Sequence, residues 1–200
     1  LYLVFNEGYS ATSGDDLHRP ELTREAIRLV RDLHALLPED PNVSGLLALM
    51  LLTEARRPAR TTEDGRLVPL AEQDRTLWDD VAIAEGLALT EEALTRRPIG
   101  AYQVQAAIAA LHAEASVAED TDWPQIAALY QVLECVTPSP MVTLNHAVAV
   151  GMARGPEFGL DMLRGLDDTL GQHHRAVARQ PDLRLPPVDP GDLHVDRRSS

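Results

Sequence analysis

Lysine is absent from this 200-residue chain. All eighteen basic residues are arginine, against thirty-one aspartate and glutamate, for a net charge of −13. The imbalance lies in residues 1–170, with thirteen Arg and twenty-seven acids; the last thirty residues hold five and four. Neutralising phosphates drives most nucleic-acid affinity, so a domain this acidic is a poor direct binder of DNA. The largest basic groups are Arg56-Arg57 with Arg60, and Arg96-Arg97. Cysteine is nearly absent too: with Cys135 alone an internal disulfide is excluded, which fits a reducing cytoplasm. No apolar run approaches the roughly 18–20 residues that cross a bilayer; the longest, Leu46 to Leu52, is far shorter. No glycine-rich phosphate loop, nucleophile elbow or HExxH stretch is present. His112 and Glu114, two apart on a predicted helix, face different ways. His173-His174 lacks a third ligand at useful spacing. Neither a metal, a cofactor nor a catalytic set is expected.

What the chain does have is hydrophobic content, 44% of its residues, and it is spaced for helices. The chain starts inside an apolar run, Leu1 to Phe5, followed at once by Asn6-Glu7-Gly8-Tyr9-Ser10. This reads as the end of a helix that begins upstream, in a longer protein. Pro20 can open the next helix, whose inward stripe is expected at Leu22, Ala26, Leu29, Leu33 and Leu36, widened by Ile27, Val30 and Leu37. Val43 to Ala55 is apolar nearly all round and predicts a central helix packed on several sides. Arg56-Arg57 suit its C-terminal dipole, and Pro58 is expected to end it. Asp64-Gly65, between Thr61-Thr62 and Leu67-Val68, predicts a short hairpin or extended loop. Leu77, Val81, Ala84 and Ala88 predict the inward face of a helix running to Arg96. Val104, Ile108, Leu111 and Ala115 do the same for the next.

From Trp123 the rhythm is helix, turn, helix. Trp123, Ile126 and Tyr130 stand at tetratricopeptide spacing; thirty-four residues on, Glu157, Leu160 and Arg164 keep only the middle position. Ordinary antiparallel hairpins and a solenoid-like array are both open. Lone Cys135 is expected in the core. After Arg179 four prolines in ten residues break any helical period. Residues 1–170 therefore read as an all-α helical domain and 171–200 as a Pro-rich, disordered tail.

Two clusters stand out as contact candidates. Gln73-Asp74-Arg75 with Trp78-Asp79 could be a buried ion pair fixing the link to the following helix, or an exposed anchor for a partner. Asn6, Glu7 and Tyr9 raise the same choice at the start of the chain.

Ordered, collinear segments then resemble one family. They are Leu3-Val4-Phe5-Asn6-Glu7-Gly8-Tyr9-Ser10; Gly45 to Leu52 with Ala55-Arg56; Gln73-Asp74-Arg75 and Trp78-Asp79; Ile83-Ala84-Glu85-Gly86; Tyr102 to Ala110; Thr121-Asp122-Trp123; and Pro138-Ser139-Pro140 with Leu144-Asn145. Over about residues 1–170 the chain is similar to the C-terminal, tetratricopeptide-like extension of a subgroup of extracytoplasmic-function (ECF) sigma factors. The resemblance implies a cytoplasmic parent protein that directs transcription initiation. Its sigma regions would contact core RNA polymerase and promoter DNA, and neither sigma region lies in this chain. The extension would regulate those regions or bind a regulatory protein. Asn6, Glu7, Tyr9, Asp74, Arg75, Trp78 and Asp79 would be interdomain or partner contacts. The family continues with a further helical pair where this chain turns Pro-rich, a departure that points to a truncated or frame-shifted gene end. The alternatives are a small-molecule-sensing or enzymatic helical domain, with Glu7, Asp74, Arg75 and Trp78 lining a pocket, and a gene remnant without independent function.

Overall fold

The computed structural model describes residues 1–9, 20–62 and 64–164; the Pro-rich tail lies outside the described residues. Among them the chain is all-α, with nine α-helices: α1 Tyr2–Tyr9, α2 Pro20–Leu36, α3 Pro41–Glu54, α4 Arg57–Arg60, α5 Asp80–Thr95, α6 Ala101–Glu114, α7 Trp123–Val136, α8 Pro140–Arg154 and α9 Pro156–Arg164. Local chemistry sets many of the boundaries. Asp40, Asp79, Asp122 and Ser139 each stand at an N-cap and accept from backbone amides of the first turn. Unpaired first-turn N–H groups make this the favoured place for short polar side chains. Pro41, Pro124 and Pro140 sit just inside their helices, where a missing N–H costs nothing. Gly155, at φ +121°, closes α8 in a backbone region that side chains disfavour. The Asp64-Gly65 turn is a hairpin with one antiparallel bridge, Thr61 to Leu67, and no strand forms among the described residues.

The described contacts divide into two compact units. The first comprises residues 1–59 and 74–116. At its centre lies α3, in which every residue from Val43 to Thr53 is buried, as its all-round apolar character predicts. Helices α1, α2, α5 and α6 pack on it. Where the chain leaves α3 the prediction needs correcting, because Pro58 enters a further short helix, α4.

Two inward faces also differ from those predicted. In α2 Ala26 and Val30 are fully buried as expected, but so is Thr23, whereas Leu29 and Leu36 are exposed. The larger correction is α5. Val81 is 80% exposed and Leu77 is also outside, while Gly86, Thr90 and Ala93 are buried. Close helix approach selects small residues: a Cβ at Gly86 would stand 2.6 Å from the Leu52 side chain. The same holds for α3 on α6, where a Cβ at Gly45 would meet the Gln103 amide nitrogen at 2.8 Å.

The second unit comprises residues 60–73 and 117–200, of which the hairpin and α7 to α9 are described. Three residues join α7 to α8, and Gly155 alone joins α8 to α9, so each pair packs as neighbours. Ile126 and Leu133 from α7, and Val142, Ala147 and Ala149 from α8, are buried. Gly159 lets α9 approach α8, since a Cβ there would stand 2.5 Å from the Ala147 carbonyl. The thirty-four-residue correspondence is not repeated in burial. Ile126 is fully enclosed and Leu160 is 58% exposed.

Candidate functional site

The Asn6-Glu7-Tyr9 cluster lies on α1. This helix presents aromatic residues inward, with Phe5 stacked between Tyr2 and Tyr9 at centroid separations of 6.2 and 5.7 Å. Tyr2 also meets the edge of Tyr102 on α6 at 5.5 Å. Offset and edge contacts of this kind add to the area the rings bury. Tyr9 is thus buried in the core, and Asn6 and Glu7 are half-buried beside it. The outer side of α1 carries a second apolar set, Leu3 and Val4, with Leu1 just before it, all exposed.

The segment from Asp74 to Asp79 is a chain of caps. Asp74 accepts from the Thr76 amide at 2.9 Å and the Thr76 hydroxyl at 2.6 Å, bonds that hold its carboxyl below the usual range. Arg75 reaches across the first unit to the end of α6, donating to the carbonyls of His112 at 2.6 Å and Ala115 at 2.7 Å. Those carbonyls lie at the C-terminal end of the helix dipole, where a guanidinium is favoured. The same guanidinium covers the Trp78 ring at 4.6 Å. Trp78 is buried, and its indole N–H meets no acceptor among the described residues. Asp79 accepts from Val81 and Ala82 at 3.0 Å, while its own amide donates to the Ala55 carbonyl at the end of α3. Asp74 and Arg75, read in sequence as a possible ion pair, face different partners. Together the segment ties the ends of α3, α5 and α6.

Behind it stands His112. Burial is the main cause, with the nearby Arg56 and Arg75 guanidiniums, that pushes its imidazole down to about 3. Glu54, paired with Arg57 at 2.7 Å, is shifted upward by burial. Neither arrangement brings a nucleophile to a base. No group of three or more potential metal ligands occurs among the described residues. Cys135, expected in the core, is exposed on α7, because that helix turns Ile126 and Leu133 inward instead. Sequence reading assigned Gln103 no role. It is fully buried, accepts from the Gly100 amide at 2.7 Å and donates to the Ala93 carbonyl at 2.7 Å, joining the end of α5 to the start of α6. The signal available was a Gln three residues after the helix-opening Gly100, the position from which a side chain reaches back to the N-cap amide; glycine has no side chain to supply the other half of a capping box.

These features define an all-α chain whose distinctive polar residues fasten helix ends. Residues 1–94, from α1 nearly to the end of α5, match a family of unknown function, DUF6596. The chain is similar, at 51% identity over 170 residues, to the uncharacterized protein R00370 of Rhizobium meliloti (strain 1021). That similarity covers 85% of this chain and 40% of the relative, so the chain spans about two fifths of the relative's length. No solved structure matches the chain. No helix among the described residues is long and apolar enough to cross a membrane.

Proposed function

We propose that residues 1–170 form a regulatory, protein-binding domain in the C-terminal part of an ECF-type sigma factor. In that role the domain acts in the cytoplasm by contact, not catalysis. It takes no cofactor and leaves promoter DNA and core RNA polymerase to the sigma regions of the full-length protein. The observation that carries the reading is the double-faced α1. Its aromatic side is committed to the core, and its other side offers Leu3 and Val4, with Leu1 just before the helix, uncovered. An apolar helix face left open beside a packed core marks a place for another surface. The resemblance to the sigma-factor extension supports the reading further, and within its motifs Gly45, Trp78, Asp79, Gln103 and Asp122 serve packing or capping. A relative longer than this chain leaves room for further regions. The small-molecule alternative built on Glu7, Asp74, Arg75 and Trp78 gains nothing comparable, since Trp78 is buried and Arg75 is committed to α6.

The test is promoter-directed transcription by the full-length protein with core RNA polymerase. Leu3→Asp with Val4→Asp changes the open face and leaves Phe5 in place. Transcript yield is expected to change at least severalfold while the melting temperature of the isolated chain stays within a few degrees. Unchanged yield from a correctly folded double variant would overturn the reading.

A further inference from the structure

Helices α7, α8 and α9 of the second unit line a groove of about 610 Å³. Its walls are mainly apolar, with Ala127, Ala128, Val150, Phe158 and Met162 among them. That volume lies within the roughly 300–1,000 Å³ typical of sites for small organic ligands. In a chain with thirty-one acidic residues, none of the side chains lining the groove is acidic. Arg154, which also lines it, is exposed, and its side chain forms no hydrogen bond or ion pair among the described residues. Arg164, ten residues further on, is by contrast paired with Asp161 at 2.8 Å. His146 on the same lining is held at Nδ1 by Glu134 at 2.9 Å.

We propose that this groove binds a small amphiphilic carboxylate, its apolar body against Val150, Phe158 and Met162 and its head group on Arg154. Arginine is suited to that head group because its planar fork of donors matches two carboxylate oxygens. Charge complementarity selects the anion: a cationic amphiphile would meet an unpaired guanidinium and no carboxylate in the lining. A single cation and an apolar space of this size suit one small molecule. The inference is independent of the role given to α1, and either can fail alone.

Calorimetric titration of the 200-residue chain with decanoate, decanol and decylamine tests it. Decanoate is expected to bind with one-to-one stoichiometry, decanol at least about tenfold more weakly, and decylamine not at all. Arg154→Gln, at an exposed position, should weaken decanoate about tenfold and leave decanol unchanged. Ala128→Trp, also exposed, should fill the groove and abolish both. Circular dichroism melts confirm that each variant is folded. The inference is overturned by no saturable decanoate binding, by equal affinity for decanoate and decanol, or by folded variants that bind decanoate like the parent.

Discussion

At the scale of single residues, the first unit keeps its unusual polar groups at helix ends, and His112 is the one whose titration can be read in stability. Its imidazole stays neutral in the folded chain down to about pH 3, because burial and two nearby guanidiniums oppose a further positive charge. In the unfolded chain the same group takes a proton near 6.5. Above that pH neither state is protonated and the group is neutral in the balance. As pH falls from 6.5 towards 3, the unfolded state gains a proton that the folded state refuses, and stability is lost by up to about 1.4 kcal/mol per pH unit. Carboxylates held low, such as Asp74, add to acid loss only below their unfolded value of about 4. Glu54, shifted upward, acts in the opposite sense. Comparing wild type with His112→Gln removes the contribution of Glu54, which both carry. Urea unfolding at pH 6.5 and pH 5 should show a smaller loss in the variant, by as much as about 2 kcal/mol. Equal losses would mean that His112 is protonated in the folded chain.

At the scale of elements, the fold rests on helices brought close by small residues, and this also decided what could be read in advance. α3 was legible because burial on every side demands an apolar residue at every position. α5 was not, because its packed face is Gly86, Thr90 and Ala93, which a count of large apolar residues passes over in favour of Val81. Caps such as Asp79 and Asp122 follow from local pattern, whereas the bonds from Arg75 to α6 join residues 37 and 40 positions apart and leave no local trace. The candidate cluster was therefore visible as a group of residue types, but its partners were not. The close approach of α3 and α6 is open to measurement. In Gly45→Ala the new methyl meets backbone atoms of Gln103 at 2.8 and 3.0 Å, which cannot swing aside. Overpacking costs about 1–3 kcal/mol and outweighs the roughly 1 kcal/mol that alanine gains over glycine within a helix. The urea midpoint should fall with an unchanged slope, by about 1–2 kcal/mol in stability. Gly151→Ala in α8 is the control. A Cβ there meets nothing nearer than 3.8 Å, so that variant should equal or slightly exceed the parent. Equal stability of the two variants would show that α3 and α6 do not pack this closely.

At the scale of the whole molecule, charge sets the division of labour that the proposed function requires. Thirty-one acids against eighteen arginines make the chain a poor partner for a polyanion. Many of those arginines are already committed: Arg28, Arg31, Arg57, Arg66, Arg96 and Arg164 to carboxylates, and Arg75 to carbonyls. A phosphate contact by any of these would have to replace such a partner, while the net charge of −13 repels the duplex. The chain by itself should therefore fail to retard duplex DNA, promoter-bearing or random, in a gel-shift titration into the micromolar range at 50 mM salt. Low salt is the demanding condition, because phosphate binding is strongest there and weakens steeply as counterions are added. A retarded band that vanished at 200 mM salt would expose a basic surface assembled from arginines scattered in the sequence. A band that survived 200 mM salt and discriminated promoter from random duplex would go further. It would place promoter recognition inside this chain and remove the reason for assigning it to a separate sigma region.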